Sequence, residues 1–198
     1  MANRSQDLNA LIGSRICHDL ISPLGAIGNG LELLAMSGAN GAEMALISES
    51  VTNANARIRF YRVAFGSASE GQSMGRNEIA NILQDLTQGS RLNIIWMPVT
   101  DCPRPMVKLA FLLLQCFETA MPYGGETRVT LNDGQWRITG SANKLKIDPE
   151  LWELLSRPET ELDITPAQVQ FALIPDLMAQ LGRKLTLQIS DTEISAVY

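Results

Sequence analysis

Two long helical patterns separated by one short turn restrict this chain more than any other feature. From Gln6 to Met36, apolar residues recur at Leu8, Leu11, Ile12, Ile16, Leu20, Leu24, Ile27, Leu31 and Leu34. Steps of three and four place them on one stripe of a helix. The run Ser37-Gly38-Ala39-Asn40-Gly41 is rich in helix terminators. A second pattern follows from about Ala42 to Phe65, with Met44, Ile47, Val51, Ile58, Tyr61 and Phe65 on its apolar side. A short connection between long helices makes an antiparallel hairpin. A lone hairpin leaves part of each stripe uncovered, and a second copy of the chain covers it by completing a two-fold symmetric four-helix bundle. The pattern therefore predicts a homodimer.

The small, polar, glycine-rich run that ends at Arg76 reads as a linker. It divides the chain into a helical hairpin at 1–66, a linker at 67–76 and a mixed domain at 77–198. In the mixed domain, Asn77 to Gln88 reads as an amphipathic helix, Arg91 to Met97 as a strand, and Pro105 to Ala120 as a buried helix with proline in its first turn. Thr127 to Leu131 and Gln135 to Thr139 flank Asn132-Asp133-Gly134, a hairpin turn. Thr165 caps and Pro166 opens a helix to Leu181, with a kink expected at Pro175. Arg183 to Ile189 and Glu193 to Val197 read as closing strands. The fold class is α+β, with helices on one face of a mostly antiparallel sheet. Trp96, Trp136 and Trp152 fall in or beside these elements and are expected in the core.

Composition removes several classes of function. The 198 residues are 45% hydrophobic and 19% charged, as in ordinary globular proteins. Cys17, Cys102 and Cys116 form no CxxC pair and are expected to be buried free thiols; one histidine cannot supply zinc-finger spacing. A net charge of −5 argues against nucleic acid, whose binding is dominated by phosphate neutralisation. The N-terminal run MANRSQDLNA has no apolar core of a leader peptide, and Pro105 to Phe117 is too short to span a bilayer. A cytoplasmic location is the expectation.

Chemistry concentrates in Cys17-His18-Asp19-Leu20-Ile21-Ser22-Pro23-Leu24. One helical turn from His18 on either side stand Ser14 and Ser22, and two turns on stands Gly25. The imidazole thus occupies a face cleared of bulky neighbours, open to a partner. Pro23 cannot donate to the carbonyl of Asp19. Either the helix is loosened there, or Ser22 caps a new helix that starts at Pro23.

The spacing His-Asp-x-x-x-Pro-Leu, on the first helix of a hairpin, resembles the H-box of sensor histidine kinases, where the histidine accepts phosphate. The wider run LIGSRICHDLISPLGAIGNGLELL, with RIRFYRVAFG closing the second helix, is similar to ChpT-like histidine phosphotransferases. The resemblance is close over about residues 6–66 and looser beyond. It implies a dimeric hairpin bundle followed by an α/β sandwich resembling a histidine-kinase ATPase domain. It also implies relay of a phosphoryl group from the receiver domain of a hybrid kinase, through His18, to a response regulator. Imidazole suits that task because it is partly neutral near neutral pH and forms a labile phosphoramidate. Asp19 is expected to orient the ring or take its proton, and Ser22 to hold a water that hydrolyses the receiver's phosphate. Ser14, Arg15, Gly25, Asn29, Glu32, Arg59 and Arg62 are expected to face the receiver. Arg57, Arg59 and Arg62 serve equally well to complement the end of the second helix. No cofactor is expected, and magnesium only in the partner receiver.

Beside the kinase pattern the chain shows departures. Where a kinase has Asn-x-x-x-Asn-Ala, this chain has Gln115-Cys116-Phe117-Glu118-Thr119-Ala120. Where it has Asp-x-Gly-x-Gly, this chain has Gly140-Ser141-Ala142-Asn143-Lys144, and the later glycine-rich turn corresponds to Gln168-Val169-Gln170-Phe171-Ala172. Large side chains at that turn block close approach by phosphate to backbone amides. ATP binding is therefore not expected. The alternatives are an active ATP-dependent kinase, or a non-catalytic module that holds receivers and has no need of His18.

Overall fold

The first apolar pattern folds as one unbroken helix. In the computed structural model, which describes residues 2–37, 41–157 and 162–198, α1 runs Ala2–Ser37 straight through Pro23, so Ser22 does not cap a new helix. Helix α2 spans Gly41–Ala64 and packs along α1. Gly30 of α1 permits the close approach, since a Cβ there would lie 2.6 Å from a side-chain carbon of Ile47. The expected turn residues 38–40 lie outside the described residues.

The base of this hairpin belongs to the core of the rest of the chain. Phe60, Tyr61, Val63 and Ala64 are buried with it, and the Phe60 ring stacks on Phe111 at 4.8 Å. The last carbonyls of α2 lack intrahelical partners. Arg104 donates to the carbonyls of Arg62 (2.9 Å) and Ser67 (3.0 Å), and Lys108 donates to that of Gly66 (2.9 Å). These cations also complement the negative end of the helix dipole. The outer side of the hairpin is different. Ile21, Leu24 and Leu31 on α1, and Met44, Val51 and Ile58 on α2, are between 40% and 68% exposed.

Beyond the hairpin the order is β1 (Ser73–Met74), α3 (Arg76–Thr87), β2 (Leu92–Trp96), β3 (Cys102–Pro103), α4 (Arg104–Ala120), β4 (Gly125–Asn132), β5 (Gln135–Ser141), α5 (Pro149–Leu154), a single 3-10 turn (Pro166–Gln168), α6 (Val169–Gln180), β6 (Thr186–Ile189) and β7 (Glu193–Val197). The main sheet has the order β2-β4-β5-β7-β6, with only the β2–β4 pair parallel. Asp133 (φ 50°) and Gly134 (φ 76°) make the two-residue turn between β4 and β5, which keeps Asn132 opposite Gln135. Val129, Trp136, Ile138 and Ile194 are buried with α4, while Arg128 and Arg137 point away and are exposed. Gly140 lets α4 come close: a Cβ there would lie 2.6 Å from Cδ1 of Phe117.

Three sequence expectations change. The segment read as linker contains β1, which pairs with β3 (Ser73 with Pro103, Met74 with Cys102). Two residues carry too little pattern to be seen as a strand. Helix α5 went unread, although its cap was present: Asp148 accepts from the Leu151 amide, and Pro149 occupies the first turn. Finally, Cys102 and Cys116 are buried but Cys17 is exposed; all three thiols are free. Cys17 lies outside the apolar stripe of α1, so its apolar sequence neighbours do not bury it. The three tryptophans are buried as expected.

Candidate functional site

Consecutive helix residues point about 100° apart, and this separates the roles of His18 and Asp19. The His18 side chain is 83% exposed, whereas that of Asp19 is 10% exposed. Ser14, Ser22 and Gly25 are all exposed on the same side as His18. An added Cβ at Gly25 would touch nothing, so this face is open. Ser22 stands one turn from the ring.

Asp19 turns toward α2. Its Oδ1 lies 3.0 Å from Nδ1 of His18. Its Oδ2 accepts from Nε of Arg15 at 2.7 Å and from the Tyr61 hydroxyl. A nitrogen of Arg57 lies 3.9 Å from the same oxygen. Partial burial pushes the Asp19 carboxyl up, but hydrogen bonds from His18 and Tyr61 and the Arg15 charge outweigh it and hold the group below its ordinary range. Burial first, and then the bond to Asp19, push the Tyr61 phenol up to about 12. An ionised carboxylate only accepts hydrogen bonds, so the contact with His18 requires a proton on Nδ1. In the neutral ring Nε2 then carries the free lone pair, on an open face. Such a nitrogen can act as a nucleophile, and the carboxylate that would offset the ring's charge lies beside it.

A groove of about 460 Å³ runs beside the ring, bordered by Ser22 and Pro23 on α1 and by Ser50, Asn53 and Arg57 on α2. Arg57 donates to Oδ1 of Asn53 at 3.0 Å. Of the other residues expected to face a partner, Asn29, Glu32 and Arg62 are exposed. Arg59 pairs with Asp85 on α3. Arg15 turns inward: besides Asp19, it reaches the carbonyl of Ala167 in the 3-10 turn at 2.7 Å. Tyr61, Asn53 and Arg57 complete the surroundings. Tyr61 had read only as an apolar-stripe residue. The available signal was its hydroxyl, which in a buried position needs a partner.

The stretch compared with the glycine-rich turn of kinases is filled with side chains. Gln170 and Phe171 are wholly buried. Gln170 donates to the Ala167 carbonyl at 3.1 Å and to the Thr119 hydroxyl at 3.4 Å. Phe171 meets Trp152 edge-on at 5.7 Å. Among the described residues, no helix is long and apolar enough to cross a membrane.

Comparison with known proteins bears on the family of the chain. The model of the histidine phosphotransferase C-terminal domain matches residues 76–193. Protein phosphotransferase ChpT of Brucella abortus (strain 2308) is 36% identical over 196 residues, covering 95% of this chain and 93% of that protein. A solved structure of a bacterial phosphotransferase aligns with a TM-score of 0.80 at 34% identity, covering 97% of this chain and 95% of that one. A helical hairpin ahead of a mixed sheet domain, with these matches, defines a phosphotransferase that works in a phosphorelay. The chain belongs to the family of ChpT-like histidine phosphotransferases.

Proposed function

We propose that His18 is the phosphoacceptor, taking the phosphoryl group from the receiver aspartate of a hybrid histidine kinase and passing it to the receiver of a response regulator, without ATP. The observation that carries this reading is the 83% exposed imidazole, held by an ionised Asp19 on a helix face cleared of large side chains. Phosphoryl transfer is largely dissociative, so the acceptor protein mainly supplies alignment. A rigid helix is suited to this, and the magnesium that neutralises charge belongs to the receiver.

Two copies of the chain assemble through α1 and α2, in our reading, because the exposed apolar side chains on the outer side of the hairpin need cover. Asn29, Glu32 and Arg62, all exposed, face the receiver together with Ser14 and Gly25. Arg15 and Arg59 act there through the groups they hold. The cytoplasm, where receivers reside, is the proposed location. In our reading the sheet domain is a degenerate relative of the kinase ATPase domain, supported by the burial of Gln170 and Phe171 and the Phe171–Trp152 contact at the stretch matching the glycine-rich turn. Calorimetry should show no saturable ATP binding at micromolar concentrations, and saturable binding would sink that part.

The reading is tested by incubation with a phosphorylated receiver. His18→Gln should fold, assemble and bind the receiver, yet accept no phosphate. Undiminished labelling of His18→Gln overturns the assignment. In that variant background, Ser22→Ala should slow receiver dephosphorylation if its hydroxyl holds the hydrolytic water, and an unchanged rate removes that role.

A further inference from the structure

Among the described residues, the hydrogen-bond partner of the exposed His18 ring is the carboxylate of Asp19. A neutral imidazole exists as two tautomers, and the bond made by one nitrogen decides which carries the proton. Whatever immobilises Asp19 therefore governs which nitrogen of His18 is nucleophilic. The carboxylate is held from two helices: by Arg15, one turn earlier on α1, and by Tyr61 on α2. We propose that Tyr61 is a positioning residue for phosphoryl transfer, acting with Arg15 through Asp19 to keep the proton on Nδ1 of His18 and the lone pair on Nε2. This rests on the reading that His18 is the acceptor.

The surroundings of Tyr61 suit this role. Its ring is 7% exposed, stacked on Phe65 at 5.3 Å and edge-on to Phe60 at 6.0 Å, so the hydroxyl has a fixed origin. Burial and Asp19 keep the phenol protonated up to about pH 12, so it donates throughout the range in which a relay operates. The charged side chains facing Asp19 are Arg15, Arg57 and, from α4, Glu118, while the His18 ring is its hydrogen-bond partner. Arg57 stands at 3.9 Å, too far for a hydrogen bond, which leaves Tyr61 and Arg15 to orient the carboxylate. Arg15 is itself anchored by the Ala167 carbonyl, so the sheet domain braces the same carboxylate.

The transfer step balances on this arrangement. The Nε2 lone pair forms the N–P bond, and the P–O bond to the receiver aspartate breaks. Its electron pair leaves with the aspartate as carboxylate. No proton leaves Nε2, because none is there. The Nδ1 proton stays shared with Asp19, whose negative charge offsets the positive charge that develops on the ring.

His18 is the only histidine of the chain, so its ring nitrogens give unambiguous nitrogen-15 resonances. The experiment compares the wild type with Tyr61→Phe, which removes the hydroxyl and keeps the ring. Spectra are taken at about pH 8, where imidazole is ordinarily neutral. Single-turnover transfer from a phosphorylated receiver and receiver affinity are measured on the same samples. The wild type should show protonated Nδ1 and bare Nε2. Tyr61→Phe should give a mixture of tautomers and transfer slowed about 10- to 100-fold, with receiver affinity unchanged. Arg15→Gln should drift the same way, which keeps the test intact if Tyr61→Phe fails to fold. A bare Nδ1 in the wild type, or an unchanged tautomer and rate in both variants, overturns the positioning role. A wild type that accepts no phosphate overturns the acceptor reading instead, while the spectra still report on the Tyr61–Asp19–His18 contact.

Discussion

Leu31→Glu should dissociate the proposed dimer. Leu31 is 55% exposed in the single chain and lies two to three helical turns from Leu24 (58%) and Ile21 (68%). Full burial of a leucine side chain contributes about 1.5–3 kcal/mol. Slightly more than half of that remains to be gained at Leu31, and a two-fold interface gains it twice. Losing the pair therefore removes about 1.5–3 kcal/mol, a weakening of about 10- to 150-fold in the dimer dissociation constant. Desolvating the introduced carboxylate adds to the loss. Leu31→Met keeps the apolar area and should keep the assembly. Light scattering over a dilution series at constant salt measures the shift, with circular dichroism checking that the hairpin still folds. A monomeric wild type, or equal assembly of wild type and Leu31→Glu, refutes the reasoning.

The other predictions concern the core and the carboxylate network. Gly140→Ala places a Cβ against the Phe117 ring and should cost about 1–3 kcal/mol, read as a lowered urea midpoint at constant slope; an unshifted midpoint contradicts the close approach. Asp19 titrates below its ordinary 3.8, so its contribution to stability is present above that value and is lost as pH falls through the lowered folded one. Wild type should therefore lose more stability than Asp19→Asn on acidification below about pH 4, and parallel curves would contradict this. Tyr61 behaves oppositely. Its contribution is complete below its ordinary 10.0 and is lost as pH rises through about 12, and Tyr61→Phe should abolish that alkaline loss.

The hairpin was legible because thirty residues of three-and-four spacing leave little choice of structure. The exposed histidine was legible too, since Ser14, Ser22 and Gly25 fall on its face at helical spacing. The carboxylate network was not. Arg15 and Asp19 are a readable pair four residues apart, but Tyr61 joins them from 42 residues away, and only the packing of α2 against α1 brings it there. The same limit hid the β1–β3 pair, whose two short strands are linked by register rather than pattern. A helix loosened at Pro23 and a new helix capped by Ser22 were both open readings, and α1 continues through Pro23, which is buried.

The central claim is that His18 carries the phosphoryl group between two receivers, and a labelled chase tests it most directly. A receiver bearing radiolabelled aspartyl phosphate is mixed with the protein, the label is mapped, and a second, unphosphorylated receiver is then added. The label should leave the first receiver, appear as acid-labile phosphate on His18, and move on to the second receiver when that is present. Label that reaches the second receiver equally well through His18→Ala would contradict the account.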